Sequence, residues 1–229
     1  MKNTHVILLA ATLATVFSSA QLSGQEESRH VSGFTSISYS LPGSLEIVQG
    51  DSENLVLKGN PEDLDKIITK VEGSTLKIYT KPHVSNLSHI NICVSVKELE
   101  ELDIAGSGDV TIKNVLKSNY FELSLSGSGD VTCENLEASK LEISLAGSGD
   151  VSIAGKVNEV EISIAGSGDV WADELESEKA EISIAGSGSV KIWATKYLES
   201  SIVGSGDVYY KGNPLIDSET IGSGSTKPL

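Results

Sequence analysis

The nine residues Ile162-Ser163-Ile164-Ala165-Gly166-Ser167-Gly168-Asp169-Val170 decide the fold of this chain, because close copies of them recur from Leu102 to the C-terminus. Gly-Ser-Gly begins at Gly106, Gly127, Gly147, Gly166, Gly186, Gly204 and Gly222, with spacings of 21, 20, 19, 20, 18 and 18 residues. A period of that length marks a solenoid, in which each repeat is one coil and neighbouring coils complete its core. Ahead of the glycines, Ile143 and Leu145, Ile162 and Ile164, and Ile182 and Ile184 point one way, while Glu142, Ser144, Glu161 and Ser163 point the other. Behind them, Val110 and Ile112, Val131 and Cys133, and Val151 and Ile153 continue the inward set. Period two on both sides of the corner means at least two strands per coil. A second corner, around Lys117-Ser118-Asn119, Glu137-Ala138-Ser139 and Lys156-Val157-Asn158, reads as polar and variable.

Near-identical strands one repeat apart favour parallel stacking over an antiparallel array, and the handedness of parallel crossovers favours a right-handed coil. The sequence therefore predicts an all-β, right-handed parallel β-helix with about 18–21 residues per coil. Glycine suits its corner, supplying positive φ and having no Cβ to strike the coil above or below. Serine could hydrogen-bond local backbone or the next serine. Neither a phosphate-binding loop nor a dinucleotide fingerprint is matched, since no helix follows and no Gly-Lys-Ser/Thr is present.

Asp109, Asp130, Asp150, Asp169 and Asp207 each follow the second glycine, and Ser189 and Ser225 interrupt the series. Carboxylates stacked about 4.8 Å apart repel by roughly 1 kcal/mol even in water. Either backbone N–H groups compensate each of them, or a cation occupies the column. Calcium is the candidate cation, but calcium-binding glycine-aspartate repeats have a nine-residue period and a fuller motif, so the structural reading is preferred.

Upstream, residues 34–100 read as further short strands: Phe34–Tyr39, Leu45–Gln49, Leu55–Gly59, and a pair flanking the turn Glu72-Gly73-Ser74. Pro61–Asp65 fits one helical turn, with Asn60 as its cap. The expected organisation is a signal peptide at 1–20, a flexible segment at 21–33, the β-rich part at 34–100 and the repeats at 101–229. Residues 34–224 are expected to form one continuous domain. The signal reading rests on Lys2, the short apolar run Val6–Phe17 and the small residues Ser18-Ser19-Ala20. That run is too short to cross roughly 30 Å of hydrocarbon.

The 229 residues carry 17 Lys plus Arg against 32 Asp plus Glu, a formal net charge of −15, which speaks against nucleic acid and against anionic bilayers. Cys93 is expected to face outward and Cys133 inward, a geometry that disfavours a disulfide. His83 and His89 lack metal-ligand spacing with either cysteine. Catalysis is not indicated: there is no nucleophile elbow, no distinctive carboxylate pair and no long insertion.

One column breaks the repeat symmetry. The outward residue after Asp-Val is Thr111, Thr132 and Ser152 in early coils, then Trp171, Lys191 and Tyr209, with Trp193 close by. Atypical residues are expected where a solenoid ends, so a cap is one reading. A binding surface for a sugar or protein is the other, and it makes Trp171, Lys191, Trp193 and Tyr209 the candidate site.

The segments Leu45–Asp51, Leu64–Ile67 and Leu76–Ile78, followed by Ile104-Ala105-Gly106-Ser107-Gly108-Asp109-Val110, resemble the putative auto-transporter adhesin family with the head GIN domain. The resemblance spans about Phe34 to Gly224. It implies an all-β, β-helix-like fold and an envelope or surface location, and it brings no catalytic residues. The functional expectation is an exported, non-enzymatic adhesin or binding protein in the periplasm, on the outer-membrane surface or outside the cell. The alternatives are a periplasmic structural scaffold without a small-molecule ligand, one form of which self-associates end to end through uncapped coils, and, by fold analogy alone, a polysaccharide-active enzyme.

Overall fold

A computed structural model of the chain describes residues 25–84, 87–88 and 90–229. The expected signal peptide, residues 1–20, and His89 lie outside them. Alternating, β-rich segments become β1 (Gln25–Arg29), β2 (Ser36–Ser40), β3 (Ser44–Gln49) and β4 (Asn54–Gly59). After a single helical turn, α1 (Pro61–Leu64), come β5 (Ile67–Glu72), β6 (Thr75–Thr80), β7 (Asn91–Val96), β8 (Glu101–Gly106) and β9 (Asp109–Ile112). Asn60 precedes α1 and Pro61 opens it, where a preset φ helps and a missing N–H costs nothing. β5 and β6 form the antiparallel hairpin expected at Glu72-Gly73-Ser74.

Gln25–Arg29 departs from expectation. Its polarity suggested a flexible lead-in, yet it pairs antiparallel with β4. Arg29 anchors it by donating to the carbonyls of Ile67 and Leu64 at 2.8 and 3.0 Å. Strand pairing is a demand of the backbone, and polar side chains do not cancel it.

The repeats form β10 (Leu116–Gly127), β11 (Val131–Gly147), β12 (Val151–Gly166), β13 (Val170–Gly186) and β14 (Val190–Gly204), then β15 (Asp207–Lys211), β16 (Leu215–Gly222) and β17 (Ser225–Pro228). All pair in parallel, with Ile143, Ile162 and Ile182 in register and Gly127, Gly147, Gly166 and Gly186 in register. The result is an all-β solenoid of about six turns. Its filling is the inward set read from the sequence, with Leu123, Ile143, Ile162 and Ile182 buried in successive coils.

The polar second corner is more than a corner. Leu116, Leu136, Val157 and Leu175 are buried there, and Leu116 and Leu136 pair in register, so each coil carries a third buried segment. The inward parity then switches, from Leu116 to Phe121 and from Leu136 to Leu141, which marks a bend. One apolar residue among charges is too little for a period to show.

The N-terminal half is interleaved rather than stacked in chain order. β2 lies between β6 and β8, and β3 lies between β7 and β9. Antiparallel strands then finish that end, β5 beside β6, and β4 followed by β1 beside β7. The Leu41–Gly43 turn takes the place of a Gly-Ser-Gly corner, and Asp109 donates its N–H to the Gly43 carbonyl at 2.9 Å.

The two glycines of a corner serve different needs. Gly127 has φ +145°, and a Cβ on it would also collide with the Gly106 carbonyl one coil earlier. Gly129 has no such φ, but a Cβ there would collide with the Gly108 carbonyl. The serine between them contributes backbone: Ser128 N–H donates to Gly106 at 2.9 Å, and its side chain is exposed.

At the C-terminal end the filling turns polar. Ser200, level with Ile182, is buried, and its hydroxyl meets those of Ser218 and Thr226 at 3.0 and 2.9 Å. The two cysteines occupy the faces read from the alternation, Cys93 half-exposed and Cys133 buried.

Candidate functional site

One outer face carries the column that breaks the repeat. Parallel register places Thr111, Thr132, Ser152, Trp171, Lys191, Tyr209 and Lys227 on successive coils with the same outward orientation. Trp193, two residues beyond Lys191, shares that orientation and lies beside Lys211. All four candidate residues are thus brought onto one face. The register achieves this without any special loop.

Within the column, aromatic rings and ammonium groups alternate. Lys191 Nζ lies 4.4 Å from the Trp171 ring centroid, Lys211 Nζ 4.4 Å from that of Trp193, and Lys227 Nζ 4.7 Å from that of Tyr209. Each such contact contributes about 0.5–1 kcal/mol when partly exposed. The lower end is tied by Asp207, which accepts from Ser225 at 2.7 Å, Tyr209 at 3.0 Å and Lys227 at 3.1 Å. These donors, Ser225 first, hold its carboxyl below the ordinary value. Because the side chains point outward, they do not close the core. The hydroxyls of Ser200, Ser218 and Thr226 stand at that position instead.

On the early-coil side of Trp171 the small residues Ser152 and Thr132 leave a hollow of about 360 Å³. The indole forms one wall, and Glu134, Asp173 and Glu174 line the hollow together with Cys133, Ile153 and Ala154. Sequence reading named Trp171 but not this space. The legible signal was the change from Thr132 and Ser152 to Trp171 at one register position, a step in side-chain height. A second depression of about 420 Å³ follows another face, where Ser144, Ser163 and Ser183 run beside Ala146, Ala165 and Ala185. Alongside it, one carboxylate per coil stacks from Glu101 to Asp217. Lys140 bridges Glu161 at 3.2 Å and Glu142 at 3.7 Å. Tyr120 donates to Glu142 at 2.7 Å, a bond that raises its own phenol's pKa.

The aspartate column has backbone partners. Asp130, Asp150 and Asp169 donate their N–H groups to the carboxylates of Asp109, Asp130 and Asp150 at 2.9–3.0 Å, and Ser189 donates to Asp169 at 2.7 Å. Among the described residues, no group of three or more His, Cys, Asp or Glu has a metal-binding arrangement. Burial pushes the Cys133 thiol up to about 12 and raises that of Cys93, the reverse of what a nucleophilic cysteine needs. No helix among the described residues is long and apolar enough to cross a membrane.

Three solved structures share the fold. One of a putative adhesin from Bacteroides fragilis has TM-score 0.87 and 24% identity, covering 91% of this chain and 98% of that one. One of a putative lipid binding protein from Parabacteroides distasonis has TM-score 0.76 and 30% identity, covering 90% and 97%. A putative adhesin from Parabacteroides merdae has TM-score 0.66 and 19% identity, covering 90% and 95%. No curated protein is significantly similar to this chain. Residues 33–214, nearly all of the solenoid, match the family described as putative auto-transporter adhesin, head GIN domain, and the chain belongs to that family.

Proposed function

We propose that this protein is an exported, non-enzymatic binding head of the cell envelope, which holds a protein or glycan ligand against an outer face of its solenoid. The observation that carries this reading is the column Trp171–Lys191–Tyr209–Lys227, which replaces Thr and Ser on one face while the inward Val170, Val190 and Val208 beside it keep the repeat. Large aromatics on a rigid β surface supply contact area at little conformational cost. The family membership and the export signal read at residues 1–20 agree with a place outside the cytoplasm. Protease treatment of intact and lysed cells tests it. Digestion on intact cells supports surface adhesion, and Trp171→Ala and Tyr209→Ala are then expected to weaken binding to the target surface.

A second reading is a periplasmic scaffold that self-associates. It is favoured by the last coil, where Leu215 and Ile221 are exposed on the outermost strand of their face. Protection until lysis, with concentration-dependent sedimentation, is the outcome expected for it.

A further inference from the structure

The hollow beside Trp171 has a definite chemistry. Its volume of about 360 Å³ lies within the range of small-ligand pockets, roughly 300–1,000 Å³. Lys191 approaches the indole from the next coil, whereas the hollow opens toward the coils before it, so the second face of the ring is a wall of the hollow. Aromatic faces carry negative potential and receive cations.

The other walls add charge of the same sign. Glu134, Asp173 and Glu174 form no ion pair and accept no side-chain hydrogen bond among the described residues. Among the described residues no lysine is within ion-pair distance of them, and Lys191 stands over the other face of the indole. Every described lysine except Lys81, in the N-terminal half, is in an ion pair or above an aromatic ring. In the same strands, Glu137 and Glu176 do find such partners, Lys117 at 2.9 Å and Lys156 at 3.0 Å. An indole face with three unbalanced carboxylates matches an organic cation that has an apolar skin. A neutral sugar would gain nothing from their charge, and a phosphate or sulfate would be repelled.

We propose that this hollow binds an organic ammonium group, with Trp171 receiving the cation on its free face and Glu134, Asp173 and Glu174 balancing its charge. The inference names the ligand chemistry of the face treated above as a binding surface and rests on that reading. Lys211 and Lys227 stand on the neighbouring rings of Trp193 and Tyr209 in the same pose the ligand would adopt on the free face of Trp171.

The test uses the chain from residue 21 onward, choline chloride as probe and galactose as a neutral control. The chain contains two tryptophans, so the indole N–H signals of Trp171 and Trp193 can be followed separately by NMR. Choline is expected to shift the Trp171 signal saturably and leave Trp193 unmoved, and galactose to do neither. The triple variant Glu134→Gln, Asp173→Asn, Glu174→Gln keeps the indole as reporter and is expected to weaken choline at least about tenfold. Trp171→Ser restores the residue type of Ser152 one coil earlier and is expected to keep the fold, and calorimetry is expected to detect no choline binding. The proposal is overturned if choline gives no saturable shift, if galactose matches it, or if the triple variant binds as the parent does. Surface exposure on intact cells without choline binding removes this inference alone. Choline binding by a protease-protected protein removes surface adhesion and leaves the site standing.

Discussion

Asp169 donates its backbone N–H to the carboxylate of Asp150, one coil earlier, at 2.9 Å. The same bond recurs from Asp130 to Asp109 and from Asp150 to Asp130, so the aspartates staple successive corners. A column that would otherwise repel is tied together by backbone donors. Asp150→Ala is expected to lower stability by about 1 kcal/mol, and Asp150→Asn, which keeps an acceptor, by much less. Urea denaturation of the three proteins checks the order. Millimolar calcium is expected to move their melting temperatures no more than magnesium does; a calcium-specific rise would restore the metal reading.

Gly127→Ala is expected to cost about 2–4 kcal/mol, since it combines an unfavourable positive φ with a collision against the Gly106 carbonyl. Gly73→Ala has positive φ but open space around it, and is expected to cost about 1–2 kcal/mol. The difference, read as the shift in unfolding midpoint, separates coil spacing from backbone conformation.

Ile162 is buried in the middle of the solenoid, whereas Ile216, on the last coil, is 45% exposed. Ile162→Ala is expected to cost about 2–5 kcal/mol, Ile216→Ala less than about 1 kcal/mol. Each coil is stabilised by its two neighbours, and the last has only one. Equal losses would contradict this account of the C-terminal end.

Asp63 joins α1 to the segment before β7. It accepts from Lys66 at 2.7 Å and from the Ser88 N–H at 3.1 Å, and these bonds, Lys66 first, hold its carboxyl down to about 2 from 3.8. A depressed carboxyl stabilises the fold fully above its unfolded value and loses that contribution as pH falls through the folded one. Hydrogen exchange around Ser88 is therefore expected to accelerate as pH drops from about 4 to 2, beyond the intrinsic pH effect. Asp63→Asn is expected to show fast exchange throughout and no such step.

Much of the repeat region was legible because its code is local. The alternation at Ile162 and Ile164 assigns inside and outside, and identical corners can stack in only one register. That register also places Trp171, Lys191 and Tyr209 in a column. The third buried segment was hidden, since Leu116 or Leu136 among charged residues shows no period. The β1 pairing was hidden as well, because β4 needs an edge partner whatever the side chains of Gln25–Arg29 are.

By itself, the sequence determined the parallel stack, its inward and outward faces, and the corner chemistry of Gly127 and Gly129, all of which follow from period two and a repeat of about 20 residues. Only the tertiary structure decided that β2 and β3 lie between β6–β7 and β8–β9, and that a hollow opens beside Trp171. The strands of the N-terminal half do not repeat, so nothing local distinguishes one partner from another. The hollow exists only because coils two and one before Trp171 carry small side chains at its level, a fact about neighbours in space.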